Sequence, residues 1–127
     1  MLGFYIYLKK DRSEHQVKTK IAAWSAGTWY HVAATSLPGE LKIYINGKLE
    51  NSQATPKDAV DVEYDKNGIV IGSRYGTETF FKGAIDEVRL WSRVLNADEV
   101  KQAFEGTLLP VESTGKLTTT WGRIKNR

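Results

Sequence analysis

Phe81-Lys-Gly-Ala-Ile-Asp-Glu-Val-Arg-Leu-Trp91, continued by Ser-Arg-Val-Leu-Asn-Ala-Asp-Glu-Val100, decides the fold class. Val88 and Leu90 alternate with Arg89 and Trp91, the two-residue period of a strand. Ile85 lies three residues before Val88, so the two share a face only if one extra residue bulges out between them, at Asp86 or Glu87. Beyond Trp91 the period lengthens. Val100 and Phe104 are four apart, Asn96 and Glu99 have capping-box spacing, Leu95 is placed to staple across the cap, and Gly106 ends the run. A bulged strand feeding a short helix near 96–105 is the expectation.

Working outward, the rest of the body reads as strands. Phe4, Ile6 and Leu8 alternate with Tyr5 and Tyr7. A polar stretch, 9–16, turns the chain into a second strand through Val17, Thr19, Ile21 and Ala23. Residues 25–28 form a turn, and a third strand is expected over 29–35. Pro38-Gly39 reverses the chain into Leu41, Ile43 and Ile45. Asn46-Gly47 then predicts a two-residue hairpin turn, because both residues tolerate positive φ, with Leu49 opening the return strand. Residues 51–67 read as a long polar loop with space for one edge segment, Ile69, Val70 and Ile71 as a short strand, and residues 73–79 as a second loop. Short strands spaced about ten residues apart predict an all-β antiparallel sandwich with one helix.

Composition bounds the function. At 127 residues the chain is expected to form one domain with a proper core. It has no cysteine, which excludes a disulfide scaffold, a thiol nucleophile and thiolate-bound zinc, and its two histidines leave little for an imidazole metal site. The net charge of +3 comes from the ends. Residues 1–20 carry +3, residues 116–127 carry +4 and the body carries −4. No basic surface interleaved with aromatics is legible, so nucleic acid is not an expected partner. No apolar run is long enough to span a bilayer, and Met1-Leu2 leads into a strand pattern without a basic leader segment. The expectation is therefore either a cytoplasmic chain or a piece of a longer exported protein.

Four blocks in order resemble the laminin-G-like domains of the concanavalin A-like sandwich (jelly-roll) fold, to which pentraxins are related. They are Gly27-Thr-Trp-Tyr-His-Val-Ala-Ala-Thr35, Leu41-Lys-Ile-Tyr-Ile-Asn-Gly-Lys-Leu49, Ile69-Val-Ile-Gly72, and the opening stretch through Leu95 and Val100. The resemblance implies a partial laminin-G-like sandwich over residues 1–110, followed at 111–127 by a basic tail or an added strand. It also implies a module that is secreted or on the cell surface, within a larger protein. Such domains usually start with further strands that are missing here. Open sheet edges favour pairing with another chain, so a homo-oligomer whose copies complete one another's sheets is expected.

The implied function is recognition of a glycan or an extracellular protein without catalysis, with a structural assembly unit as the alternative. Tyr75, flanked by Arg74 and Thr77, brings an aromatic ring and hydrogen-bonding groups together in one loop, and Trp24 is a further aromatic candidate. Tyr5, Tyr7 and Tyr44 are other rings able to stack on a sugar, against the plainer reading of burial in the domain or in an oligomer contact. Trp29 and Trp91 are expected to pack in or against the sheets, and His31 to satisfy a neighbouring polar group. The resemblance implies calcium near Asp86, since Ca²⁺ is held by carboxylates and carbonyls. Arg74 opposes a cation there, and the plainer expectation is that Asp86 accepts backbone N–H bonds at the bulge. Asp61, Glu63 and Asp65 share a face if extended, an echo of sandwich-fold glycosidases. Their place in a polar loop favours a solvated edge.

Overall fold

In a computed structural model of the chain, residues 2–8, 13–21, 23–58, 70–73 and 79–107 are described. Along them run β1 (Gly3–Tyr7), β2 (Glu14–Lys18), β3 (Val32–Leu37), β4 (Glu40–Ile45), β5 (Lys48–Ala54) and α1 (Ala97–Glu105). The strands form two antiparallel sheets, β1-β2 and β3-β4-β5. This is the β-sandwich architecture with one short helix that the alternation predicts.

The β1-β2 hairpin pairs Phe4 with Val17 and Tyr7 with Glu14. The second strand thus starts earlier than the apolar alternation suggests, because Glu14 and Gln16 need only an exposed or half-covered face. Past the ladder, the Thr19 N–H donates to the Leu2 carbonyl (2.8 Å) and the Leu2 N–H donates to Thr19 Oγ1 (3.0 Å). Those two bonds satisfy a threonine that is almost fully buried.

Strand β4 is covered on both faces. Leu41 and Ile43 pack with Ile6, Leu8 and Val17, and with Phe4 at the margin. Tyr44, on the opposite face, packs with Leu95, Val100 and Ala33. Each such aliphatic contributes about 2 kcal/mol by leaving water. Tyr44 is only 3% exposed, which removes it from the sugar-stacking candidates: the ring fills the space between sheet and helix.

The Asn46-Gly47 turn forms as predicted, with φ of 50° and 75°. The return strand runs through Ala54, so residues 51–54 continue the edge strand β5 and supply the edge segment of the expected polar loop. Their polar side chains sit on a sheet edge, where only the backbone must pair. The ladder joins Tyr44 to Leu49 but Ile43 to Asn51, so Glu50 is the extra residue of a bulge. The bulge has a use. Glu50 Oε1 accepts the Lys20 N–H (3.0 Å), and Asn51 Nδ2 donates to the Lys18 carbonyl (2.8 Å), tying the end of β2 to β5.

Helix α1 has the predicted capping box. The Glu99 N–H donates to Asn96 Oδ1 and the Asn96 N–H to Glu99 Oε2, both at 2.9 Å. Gly106 closes the helix at φ 71°, its N–H donating to the Gln102 carbonyl. Leu95 and Val100, on either side of the cap, are buried together against Tyr44. Arg93 holds Glu99 through both guanidinium nitrogens, at 2.9 and 2.7 Å.

The opening stretch of the sequence departs from expectation. Residues 84–91 form no strand, since no described strand lies alongside to supply a ladder. The phase break itself is real: Glu87 takes φ 53°, reversing the extended backbone where the apolar period slips. Val70 and Ile71 likewise form no strand.

Candidate recognition surface

The surface best built for contact is the 23–31 loop joining β2 to β3. Its turn carries Gly27 at φ 73°, a left-handed conformation that glycine adopts without steric penalty. Trp24 and Tyr30 meet edge to face across the turn, with ring centroids 4.8 Å apart at 83°. The Ser25 N–H donates to Tyr30 Oη (3.2 Å) and pulls the phenol below its ordinary pKa. Between these anchors Trp29 projects 67% exposed. The third strand begins at Val32, three residues later than the sequence suggests, which leaves Trp29 on the loop. Trp91 is 36% exposed, whereas the Trp29 indole does not pack in or against the sheets as expected.

Asn46 fixes the far end of the loop. The Asn46 N–H donates to the His31 carbonyl, and the His31 N–H donates to Asn46 Oδ1, both at 2.9 Å. The His31 ring lies 5.7 Å from that of Phe104. Its Nδ1 is buried without a partner among the described residues, contrary to the expected polar contact. Burial, and then the nearby Arg89 charge, push the imidazole below its ordinary value.

The sequence candidates divide. Trp24 stands in this loop as the ring that braces Tyr30. Arg74, Tyr75 and Thr77 lie outside the described residues, as do Asp61, Glu63 and Asp65. Tyr5 and Tyr7 are exposed on β1, Tyr5 with the Lys18 ammonium 5.9 Å from its ring centre and Tyr7 donating to Glu14 Oε2 at 2.7 Å.

Asp86 Oδ1 accepts the Glu87 N–H at 2.8 Å, and Glu87 pairs with Arg89. One carboxylate is thus committed to its own turn and the next to a guanidinium. Among the described residues no three histidines, aspartates or glutamates gather as a metal site. A calcium ion takes six to eight oxygens, of which Asp86 and Glu87 could supply at most four. Among the described residues no helix is long and apolar enough to cross a membrane.

Residues 3–101 match the laminin-G family described as the concanavalin A-like lectin/glucanases superfamily. The chain is 34% identical over 82 residues, 63% of its length, to the human adhesion G-protein coupled receptor D1. It is 28% identical over 87 residues (61%) to the mouse pentraxin-related protein PTX3. Over 85 residues (59%) it is 32% identical to C-reactive protein 1.4 of Limulus polyphemus. It spans only 9%, 23% and 35% of those proteins, respectively.

Proposed function

The chain belongs to the concanavalin A-like lectin/glucanases superfamily, and within it we propose that this domain is a non-catalytic recognition module that binds a glycan on its 23–31 loop. One observation carries the reading: Trp29 is two-thirds exposed on a loop held by aromatic contact at one end and by the His31–Asn46 bonds at the other. A large apolar ring held in water favours a partner, because little side-chain freedom is left to lose on contact. The C–H face of a pyranose suits such a ring, and the hydroxyls of Ser25 and Thr28 precede it in the same loop. Calcium plays no part at Asp86 in this reading. By analogy with the receptor and the pentraxins it resembles, the module works outside the cell as part of a larger protein.

A glycan array, run with calcium and with a chelator, tests the proposal. Retention of an oligosaccharide in both conditions, lost in Trp29→Ala, is the expected result. A blank array, or retention that survives Trp29→Ala, overturns it; a protein ligand would then be sought with the same variant. Hydrolysis of an aryl-glycoside, abolished by Glu63→Gln, would contradict the non-catalytic reading.

A second reading, a self-assembling unit, draws on a different observation. Phe80, Phe81, Ile85, Val88 and Leu90 are all exposed along one short run. That reading requires the run to be open to a second copy in the full-length chain.

A further inference from the structure

The end of the recognition loop meets helix α1 through one ionisable ring. The His31 imidazole lies 5.7 Å from the Phe104 ring. The Asn46-Gly47 turn, which grips the His31 backbone, touches α1 at the same place. A Cβ on Gly47 would stand 3.1 Å from Phe104 Cδ1 and 3.2 Å from the Lys101 Cα. Loop end, turn and helix therefore share one contact. Within it, His31 Nδ1 is buried and makes no hydrogen bond among the described residues.

We propose that this contact is an acid-operated latch, in which protonation of His31 turns its ring away from Phe104, loosens the Asn46 rung and frees the 23–31 loop. What the freed loop lets go of, a glycan on Trp29, rests on the function proposed above. The chemistry lies in the ring. Whichever nitrogen carries the proton in the neutral imidazole, the imidazolium bears N–H on both. Its Nδ1–H then has no acceptor, and a buried charge without a partner is strongly disfavoured. Turning the ring out to water satisfies both nitrogens.

The charges around the contact do not offset that cost. Arg89 repels the imidazolium, and Arg89 itself pairs with Glu87. On α1, Lys101 adjoins the turn, and its ammonium lies 3.7 Å from the Glu105 carboxylate. Beyond the turn, Lys48 is a further cation, and on the loop the Tyr30 phenol accepts the Ser25 N–H. Burial and Arg89 together hold the His31 ring below its ordinary value. The neutral ring suits the docked loop and the charged ring the released one. Docking is therefore at full strength above 6.5 and weakens as pH falls below it. One proton changes the ratio of docked to released loop by up to about tenfold per pH unit.

An NMR titration of the full-length chain tests the latch without any ligand. Between about pH 7.5 and 5.5 the His31 and Phe104 rings and the His31 and Asn46 amides are expected to shift along one curve. Its midpoint should lie below 6.5. Over that range the exchange protection of the two amides, relative to Ile43 on β4, should fall at least about threefold. His31→Gln, which takes up no proton, should keep both amides protected throughout, and Arg89→Gln should move the midpoint up toward 6.5. A His31 ring that titrates while both amides stay protected overturns the proposal. So does an equal fall in His31→Gln, or loss of Ile43 protection along the same curve, which would mean that acid unfolds the body. A blank glycan array would count against the proposed function alone, since the titration involves no glycan.

Discussion

Asn46 reads the backbone of His31 on both sides, its N–H donating to the His31 carbonyl and its Oδ1 accepting the His31 N–H, each at 2.9 Å. The β3-β4 ladder ends one step earlier, at Val32 and Ile45. A hairpin-turn residue therefore extends that ladder by one rung, with its side chain replacing the missing backbone acceptor. The rung also fixes where the Trp29 loop enters the sheet. One residue thus performs two tasks, holding φ 50° for the turn and anchoring the recognition loop.

The two tasks separate by substitution. Asn46→Asp keeps an acceptor oxygen and tolerates the left-handed backbone, so its stability should stay within about 0.5 kcal/mol of the parent. Asn46→Ala loses the acceptor, about 1 kcal/mol, and puts a residue without asparagine's tolerance of the left-handed backbone there, about 1 kcal/mol more. Urea denaturation should show a loss of about 2 kcal/mol for alanine alone. Equal behaviour of the two variants would mean that the His31 bond contributes nothing.

Gly47 should respond more strongly than Gly39, although both have positive φ. A Cβ on Gly47 would stand 3.1 Å from Phe104 Cδ1 and 3.2 Å from the Lys101 Cα, so the turn and α1 meet through the missing side chain. A Cβ on Gly39 meets only Lys57 Cγ, at 3.7 Å. Gly39→Ala should therefore lose about 1 kcal/mol, from backbone conformation alone. Gly47→Ala should lose about 2–3 kcal/mol, because the helix must also shift. Denaturation of the pair, with helix content read from circular dichroism, checks the difference.

What the sequence made legible is local. The capping box, the left-handed Gly106 and the Asn46-Gly47 turn each depend on residues within four positions of one another, and all three form as read. The break at Glu87 was legible for the same reason. Whether residues 84–91 pair depends on a partner that alternation cannot supply. The double burial of β4 was hidden too, because Tyr44 has the polarity of an exposed strand position and is covered only when α1 folds back on it. The exposure of Trp29 follows from β3 starting at Val32, a boundary set by the Asn46 rung far along the chain. Its signal was faint: a glycine turn followed by two aromatics.

Function and stability should separate at the aromatics. Trp29→Ala removes a ring that stands in water, so the unfolding free energy should change by no more than about 0.5 kcal/mol while glycan retention is lost. Tyr44→Ala empties the space between sheet and helix and should lose on the order of 3 kcal/mol or more. Chelation of calcium should leave retention by the parent unchanged, since Asp86 is engaged by the Glu87 N–H and Glu87 by Arg89. Parallel denaturation and binding titrations on the two variants decide the point. A Trp29→Ala chain that binds normally would reassign the ring to a structural role.

Acid should weaken the fold in two separate windows. The Arg93 guanidinium, helped by the Asn96 N–H, lowers the Glu99 carboxyl from 4.5 to about 2. A folded value below the unfolded one means that the unfolded chain takes up the proton first. The Glu99 contribution is therefore complete above about 4.5 and is lost as pH falls toward 2. His31, held below 6.5 by burial and by Arg89, has the same sign at higher pH: its contribution is complete above 6.5 and declines as pH falls through that value. The urea midpoint should thus step down as pH falls below about 6.5, and again between about 4.5 and 2. His31→Gln should flatten the first step and Glu99→Gln the second, each leaving the other in place. If both steps survive in Glu99→Gln, the second belongs to other carboxylates, and the Arg93–Glu99 pair is not what ties α1 to acid stability.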